Sequence, residues 1–413
     1  MTQIGRYISL SSVVNWFSTL LIVVLPLSST TSTTDAAVPV SDTPFVQEFH
    51  ERYELGISDS ANDVRAVVVD SEGSIWVATR AGIYRLNQGQ NHWIAMEESG
   101  PAFDITVDDS GTVWAGGWNG LYQSLGGRLK RFEEIDSPIA SVCSVGTKIV
   151  CLGPRGHWVV QNGKAVAEDI ASTRSIRAAI PDGKNGLWLA TQMGLYRHTT
   201  EVEFNGYWKR DQLLSFDVRD VAYAQDGSLW VGGLGGVTVF KDSKLVEKFD
   251  GKTLASIDVR CVQQGPNGQM WVGTSLGVMR FDGNAWSLRQ SKRWLVSNDV
   301  RDIAFDKEGT AWIATKAGIS DIKNKPINLA EKAKHYDRIC QARHVRAPGL
   351  VEKCFLKTAG DVTTWEPYDD DNDGQYTSLY LAMESFRYAV TKNPKAKKKT
   401  PSGHSRLCDY CKR

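Results

Sequence analysis

Short apolar runs separated by glycine-rich turns recur along most of the chain. Six copies share the pattern apolar-Trp-apolar-Ala/Gly, with a glycine two or three residues before the Trp and another shortly after. Their tryptophans are Trp76, Trp114, Trp188, Trp230, Trp271 and Trp312. The interval from Trp114 to Trp188 has double length, and a degenerate copy, GTKIVCLGPRGHW from Gly146, fills it. Seven copies of about 40 residues therefore occupy roughly residues 45–322.

Each copy is typical of four short strands. An apolar strand such as DVRDIAFD (299–306) comes first, followed by a turn and the Trp strand AWIAT. A glycine turn leads to a third strand, and a variable outer strand carries another aromatic residue, as in NAWSLRQ (284–290). Glycine suits such turns because it adopts positive φ at little cost. A four-strand repeat of this period predicts an all-β fold, a single seven-bladed β-propeller of four-stranded blades.

The ring needs a strand that closes it. The segment after the seventh copy, NKPINLAEKAKHYD, is unlike an outer strand, whereas the segment from Pro44 resembles those that precede the other copies. We therefore expect residues 45–50 to form the outer strand of the last blade, which would leave no open sheet edge. The propeller is predicted over 44–325.

The N-terminal segment has the pattern of a targeting sequence. Arg6 is the only charged side chain among the first 34 residues, and the apolar stretch is densest from Phe17 to Leu27. Such a core fits a secretory signal better than a bilayer span, which needs about 20 apolar residues. We predict that residues 1–38 are a signal peptide and that the chain is secreted or extracellular, with a single-pass membrane anchor as the alternative.

Charge and cysteine content refine this picture. Lys and Arg number 48 against 47 Asp and Glu, a balance that argues against an evenly basic nucleic-acid binder. Cysteines of a secreted protein favour disulfides. We expect the pairs Cys143–Cys151, which flank a turn, and Cys340–Cys354, with Cys261 as a buried thiol in a strand. His404, Cys408 and Cys411 are an incomplete set for zinc.

The chain changes character after the repeats. Helix-forming residues predict a short helical appendage over 326–394, with a helix at about 376–391, and residues 395–413 form a basic tail expected to be disordered. Asp369, Asp371 and Asp373 precede Gly374, which matches the start of a calcium loop, although Tyr380 replaces the bidentate Glu at position twelve. The alternative is an acidic turn in which Asp373 caps the helix.

The repeat resembles the two-component regulator propeller family, whose units contain an apolar-Arg-apolar strand followed by Asp-x-x-Gly-x-Leu-Trp-Val-Gly-Thr-x-x-Gly-Leu. The resemblance covers nearly all of 61–322 and implies an extracytoplasmic propeller. In bacteria such propellers often form the input domains of hybrid histidine kinases and are implicated in carbohydrate sensing. No kinase, phosphoacceptor or DNA-binding segment follows here, so the resemblance does not imply a signalling output.

The segment after the repeats more weakly resembles the opening of an α/α toroid, a scaffold shared by carbohydrate-active enzymes. This resemblance implies that 326–394 is the start of a truncated α/α domain. It would also make Asp373 a candidate site residue.

Arginine recurs at one position of the repeat. Four arginines follow Asp-Val, with the aspartates at positions 63, 217, 258 and 299, and a fifth occupies the same slot: Arg65, Arg219, Arg260, Arg301 and Arg177. The slot begins the innermost strand, on the face where propellers commonly hold ligands. These guanidinium groups could bind carboxylate or sulfate through bidentate hydrogen bonds. The alternative is that each arginine pairs with a nearby Asp and links the blades. Trp118, in a turn expected on the same face, could stack on a sugar or serve in packing.

These features favour a non-catalytic binding or sensing propeller that recognises an anionic glycan or a protein partner on its top face. The alternatives are the N-terminal targeting half of a truncated carbohydrate-active enzyme and, less favoured, a lyase or lactonase in the channel. No Gly-x-Ser-x-Gly, His-Glu-x-x-His or P-loop pattern occurs. We therefore predict no catalytic residue and no cofactor, calcium at the Asp-rich loop being the one exception.

Overall fold

The computed structural model describes residues 42–168, 176–184, 186–199, 202–205, 210–347, 349–369 and 371–396. The predicted signal segment at 1–38 lies outside the described residues, as does the tail from residue 397 with its histidine and two cysteines.

Seven four-stranded antiparallel sheets form the propeller, which confirms the predicted fold. The first elements are β1 (Phe45–Tyr53) and the short helix α1 (Asp59–Asn62). Blade 1 contains β2 (Val64–Val69), β3 (Ile75–Thr79), β4 (Ile83–Leu86) and β5 (Ile94–Ala95). Blade 2 contains β6 (Ala102–Val107), β7 (Val113–Gly117), β8 (Gly120–Leu125) and β9 (Arg128–Phe132). Blade 3, the degenerate copy, contains β10 (Ser141–Val145), β11 (Lys148–Gly153), β12 (Gly156–Gln161) and β13 (Lys164–Glu168).

The remaining blades repeat the same order of strands. Blade 4 contains β14 (Ile176–Pro181), β15 (Gly186–Thr191), β16 (Gly194–Thr199) and β17 (Val202–Asn205). Blade 5 contains β18 (Val218–Tyr223), β19 (Leu229–Gly233), β20 (Gly236–Lys241) and β21 (Lys244–Phe249). Blade 6 contains β22 (Val259–Gln264), β23 (Met270–Thr274), β24 (Gly277–Phe281) and β25 (Trp286–Arg289). Blade 7 contains β26 (Val300–Phe305), β27 (Ala311–Thr315) and β28 (Gly318–Ile327).

The fourth strand of blade 7 comes from the other end of the ring. Strand β1 pairs antiparallel with β28, from Phe45 opposite Ile327 to Tyr53 opposite Ile319. The sequence places this closing strand at 45–50, and in the structure it extends to Tyr53. Because β1 pairs with β28 along its length, it completes the four-stranded sheet of blade 7 and closes the ring.

The repeated tryptophans form the core between the blades. All six are between 1% and 8% exposed. Trp76 of blade 1 packs against Ala102 and Ile105 of blade 2, and its indole N–H donates to Asp70 Oδ2 at 2.8 Å. The tryptophan therefore serves packing, as a large ring with one polar atom can do when that atom finds an acceptor.

The two predicted disulfides are wrong. Cys143 lies opposite Val150 in the β10–β11 ladder and Cys151 opposite Val142, so the two cysteines differ by one position in register. Neighbouring positions point to opposite faces of a sheet, and the two thiols accordingly belong to different hydrophobic clusters. The Cys354 thiol lies 3.9 Å from His344 Nε2, and no disulfide joins it to Cys340; all five cysteines in the described part of the chain, Cys261 included, are thiols.

The appendage combines helices with two small hairpins. Helix α2 (Leu329–Ile339) begins with a capping box, in which Asn328 and Glu331 bond each other's backbone N–H, and continues into one π-helical segment (Cys340–His344). The hairpins are β29 (Val345–Arg346) with β30 (Leu350–Val351), and β31 (Lys353–Leu356) with β32 (Trp365–Tyr368). Helix α3 (Asp373–Thr391) follows and begins three residues before the expected start.

Candidate functional site

The recurring arginines occupy one structural position. Each is the second residue of the innermost strand of its blade, and in each case the strand ladder shifts register at that residue. In blade 5, for example, Val218 lies opposite Gly233 and Asp220 opposite Gly232, so Arg219 is the extra residue of a β-bulge. A bulge releases one side chain from the alternation of the strand and redirects it. In five of the seven blades, the repeat thereby turns an arginine out of the ladder at the mouth of the ring.

Four of the five arginines pair with aspartates of the repeat, as the alternative interpretation expected. The Nη1 atoms of Arg219 and Arg260 contact the aspartate of the following blade, Asp258 and Asp299 respectively. Arg301 Nη1 lies 2.5 Å from Asp63 Oδ1, and the side chain of Arg177 completes the series with Asp217 at 3.0 Å. An alternating chain of charges thus runs across blades 4, 5, 6, 7 and 1.

The ion pairs affect the pKa of Asp258. Burial alone would raise the pKa of Asp258, but Arg219 and Arg260 hold that pKa below its usual value. The Asp258 carboxylate therefore stays ionised at neutral pH and can keep both of its ion pairs.

Arg65 is the last charge in this alternating series of arginines and aspartates. The following blade offers Phe103 in the arginine slot and Pro101 in the aspartate slot, so no carboxylate continues the alternation. Among the described residues Arg65 has no ion pair within 4 Å, and its guanidinium lies 4.9 Å from the centre of the Phe103 ring. Burial lowers the pKa of Arg65, and the nearby charges of Arg301 and Arg80 lower it further against the effect of Asp63. An anion bound beside Arg65 would stabilise the charged form of its guanidinium group.

A cleft adjoins this end of the chain of charges. It has a volume of about 560 Å³ and lies at the seam between blades 7 and 1. Asp63 lines both the cleft and the mouth, and Arg80 and Lys316 supply positive charge to the cleft. Its carboxylates, from Glu54, Asp59 and Asp63, are acceptors of the kind that hydroxyl groups require.

Trp118 lies on the neighbouring blade. It occupies the turn between β7 and β8 and is 64% exposed, while its backbone N–H donates to Pro101 O at 2.8 Å. An indole this exposed in a fixed turn is available for stacking rather than for packing, since a packed tryptophan is mostly buried.

Three carboxylates of the innermost strands were not identified from the sequence. Asp104, Asp220 and Asp302 each follow the bulge residue and accept two backbone N–H groups, one from their own strand and one from the next blade. Burial raises the pKa of all three, that of Asp220 to about 7. Their signal in the sequence is Asp at one position of three repeats, where Ala, Ser or Cys stands in the others. They link adjacent blades at the channel.

The three aspartates predicted to bind calcium do not all lie in one cluster in the structure. Asp369 and Asp373 form a cluster with Glu352, from which Asp371 is missing. The Arg346 guanidinium occupies the centre of this cluster, at 2.9 Å from an oxygen of each of the three carboxylates. Asp373 begins α3, but the residue at the N-cap is Asn372. A calcium ion would have to replace Arg346, so calcium binding by this loop stays a prediction.

Solved structures share the fold at low sequence identity. A structure of streptogramin B lyase is 17% identical with a TM-score of 0.56, over 67% of this chain and 98% of that one. Virginiamycin B lyase from Staphylococcus aureus is 14% identical with a TM-score of 0.55, over 67% and 99%. The extracellular domain of a protein described as a hybrid two component system from B. thetaiotaomicron is 18% identical with a TM-score of 0.53, over 66% of this chain but only 40% of that one.

Curated proteins provide no match to the chain. No helix in the described ranges has both the length and the apolar character needed to cross a membrane. One family model matches, that of the two component regulator propeller, at residues 58–81, which span α1, Arg65 and the Trp76 strand. The chain is therefore a seven-bladed β-propeller that carries the two-component regulator propeller repeat, and it shares its fold with extracellular domains of such regulators.

Proposed function

We propose that the chain is a secreted, non-catalytic binding propeller that recognises an acidic glycan at the mouth of the ring. One observation carries the proposal: five arginines meet four aspartates in the alternating chain, and the unmatched one, Arg65, has as neighbouring charges Asp63 and Arg80, which line the cleft. A carboxylate or sulfate of the ligand would take the place of the missing aspartate. Arginine suits this role because its planar group donates two parallel hydrogen bonds.

The surroundings of Arg65 fit a sugar acid better than a free anion. The adjoining cleft offers carboxylate acceptors for hydroxyl groups and further cations at Arg80 and Lys316. The Trp118 indole supplies an apolar plane of the type on which sugar rings stack. Arg177, Arg219, Arg260 and Arg301 then have a supporting role, because their ion pairs fix the mouth against which the ligand binds.

Binding of the full chain to polygalacturonate and heparin, with neutral dextran for comparison, tests the proposal. We expect the parent chain to bind at least one of the acidic polymers and not dextran. Arg65→Gln should weaken that binding at least tenfold, about 1.4 kcal/mol, since the substitution removes the unmatched cation. Trp118→Ala should weaken it as well, with no loss of stability from an exposed position.

Arg128→Gln is the matched control. It removes the same charge from an exposed position at the start of β9, away from the innermost strands, and should leave affinity within about twofold. Equal affinity of the Arg65→Gln and Arg128→Gln variants would refute the role of Arg65. Failure of the parent chain to bind either acidic polymer would refute recognition of acidic glycans and direct the search to protein partners.

A further inference from the structure

Helix α3 has its polar side buried and its apolar side exposed. The four side chains of the helix that are at most 9% exposed are polar or carry a hydroxyl: Asp373, Thr377, Tyr380 and Glu384. The large apolar residues are exposed instead, at 61%, 40%, 74% and 56%: Leu379, Met383, Phe386 and Val390. A helix on the surface of a globular protein normally has the opposite arrangement.

Residues of the buried polar face make specific bonds to α2 and to the first hairpin, and these bonds orient the helix. Arg387 Nη1 lies 2.8 Å from Glu384 Oε1 and 2.9 Å from Asp337 Oδ2 of α2. The Tyr380 hydroxyl donates to Asp337 Oδ1 at 3.0 Å, and Thr377 Oγ1 accepts the backbone N–H of Val351 at 2.8 Å. A rotation of α3 that hid the apolar residues would leave these buried groups without partners, at a cost of several hydrogen bonds.

The exposed face carries no charge. Its exposed residues between Gln375 and Val390 are apolar, small or uncharged polar. Of the three charged residues of the helix, Asp373 and Glu384 are buried, and Arg387, which borders the face beside Met383, is 19% exposed and paired with Asp337 and Glu384. Exposed helical surfaces of soluble proteins are rich in Lys and Glu. The four large side chains expose on the order of 400 Å² of apolar surface, which is a patch size that marks an interaction site.

We propose that this face, defined by Leu379, Met383, Phe386 and Val390, binds the same face of a second copy of the chain in antiparallel orientation. The four residues are separated by intervals of 4, 3 and 4, and such a sequence reads the same in both directions. A two-fold axis between two copies therefore places Leu379 opposite Val390 and Met383 opposite Phe386, so the face complements itself.

Three further features agree with this pairing. The 4-3-4 spacing is that of the apolar seam between two packed helices. Ala382 and Ala389 flank the seam on one side, and small residues allow two helices to approach closely. Antiparallel helices also bring the positive end of each dipole next to the negative end of the other.

The surface area that two copies would bury indicates how tightly they should associate. Two copies would bury on the order of 1,000 Å² in total, at the lower end of specific interfaces. The dimer should therefore dissociate in the micromolar range rather than being permanent.

Sedimentation velocity of the full chain across the micromolar range tests the pairing. The parent chain should change from monomer to dimer with concentration, and Leu379→Glu should shift the midpoint at least about tenfold upward, because it places a charge in the seam. Leu276→Glu, the same change at a 50% exposed leucine of blade 6, should leave the midpoint unchanged. A chain that stays monomeric throughout, or a midpoint unaffected by Leu379→Glu, would overturn the proposal.

The antiparallel orientation has its own test. The double variant Leu379→Glu with Val390→Lys should recover most of the association, since Glu of one copy then faces Lys of the other. In a parallel pair Glu would face Glu, and the double variant would remain monomeric. That result would refute the antiparallel seam even if the parent chain dimerises.

Discussion

One carboxylate ties the closing strand of blade 7 to blade 6, and its removal tests how much this contact contributes to stability. Glu48 lies on the closing strand β1 of blade 7 and reaches two arginines of blade 6. Its Oε1 atom is 2.6 Å from Arg280 Nη1 and 2.6 Å from Arg289 Nη2, and Oε2 accepts Arg289 Nε at 3.2 Å. The Arg289 side chain is 5% exposed and that of Glu48 is 19% exposed. This is a nearly dry, bidentate ion pair between two blades.

Glu48→Gln keeps the size of the side chain but removes its charge. In this variant two neighbouring guanidinium groups share a site that has no carboxylate. In the parent chain burial already lowers the pKa of Arg280, and the charge of Arg289 lowers it further. Breaking a buried pair from one side costs about 3–5 kcal/mol, and partial exposure reduces the expected loss to about 3 kcal/mol. At about 2–4 °C per kcal/mol, the melting temperature should fall by roughly 6–12 °C.

The assay is urea unfolding followed by tryptophan fluorescence, since the repeated tryptophans lie between the blades. Glu51→Gln is the matched control on the same strand: Glu51 is 55% exposed and its partner Lys323 lies at 3.0 Å, so its loss should cost less than about 1 kcal/mol. If the Glu48→Gln and Glu51→Gln variants lose the same stability, the pair does not secure the closing strand and the reasoning fails.

Two further predictions concern charge in the channel and in the appendage. Because burial raises the pKa of Asp220 to about 7, the folded chain holds a proton that the unfolded chain releases above about pH 4. The free energy of unfolding should therefore fall as pH rises from about 4 to 7, and Asp220→Asn should flatten this slope in urea titrations; an unchanged slope would contradict the assignment. Arg346→Gln removes the cation that three carboxylates share. Calcium should therefore raise the melting temperature of this variant more than that of the parent chain. An equal rise in both proteins would count against a calcium site.

Several features could be predicted from the sequence because they repeat. Seven copies of one strand pattern, including the degenerate copy from Gly146, predict the number of blades, and all blades except blade 7 form from hydrogen bonds local in sequence. The bulge position of the arginines is also a property of the repeat, since Arg65 and Arg301 begin their strands in the same way.

Features that depend on register could not be predicted in this way. Cys143 and Cys151 are close in sequence, but a difference of one position in the ladder places their thiols on opposite faces of blade 3. The sequence also places Asp371 in the acidic loop, whereas the fold brings in Glu352, which lies between the two hairpins, and fills the cluster with Arg346. Neither outcome is encoded in local spacing.

The sequence alone determined the architecture of this protein, and the tertiary structure decided where its chemistry lies. Period and pattern are local properties, so the repeated tryptophans and glycines fix the blades. The balance of charge at the mouth is a property of the closed ring, in which each arginine meets the aspartate of the next blade and Arg65 meets Phe103 instead. The exposure of the apolar face of α3 is likewise decided by its partners, because the polar residues of the helix find their bonds in α2 and leave the apolar residues outside.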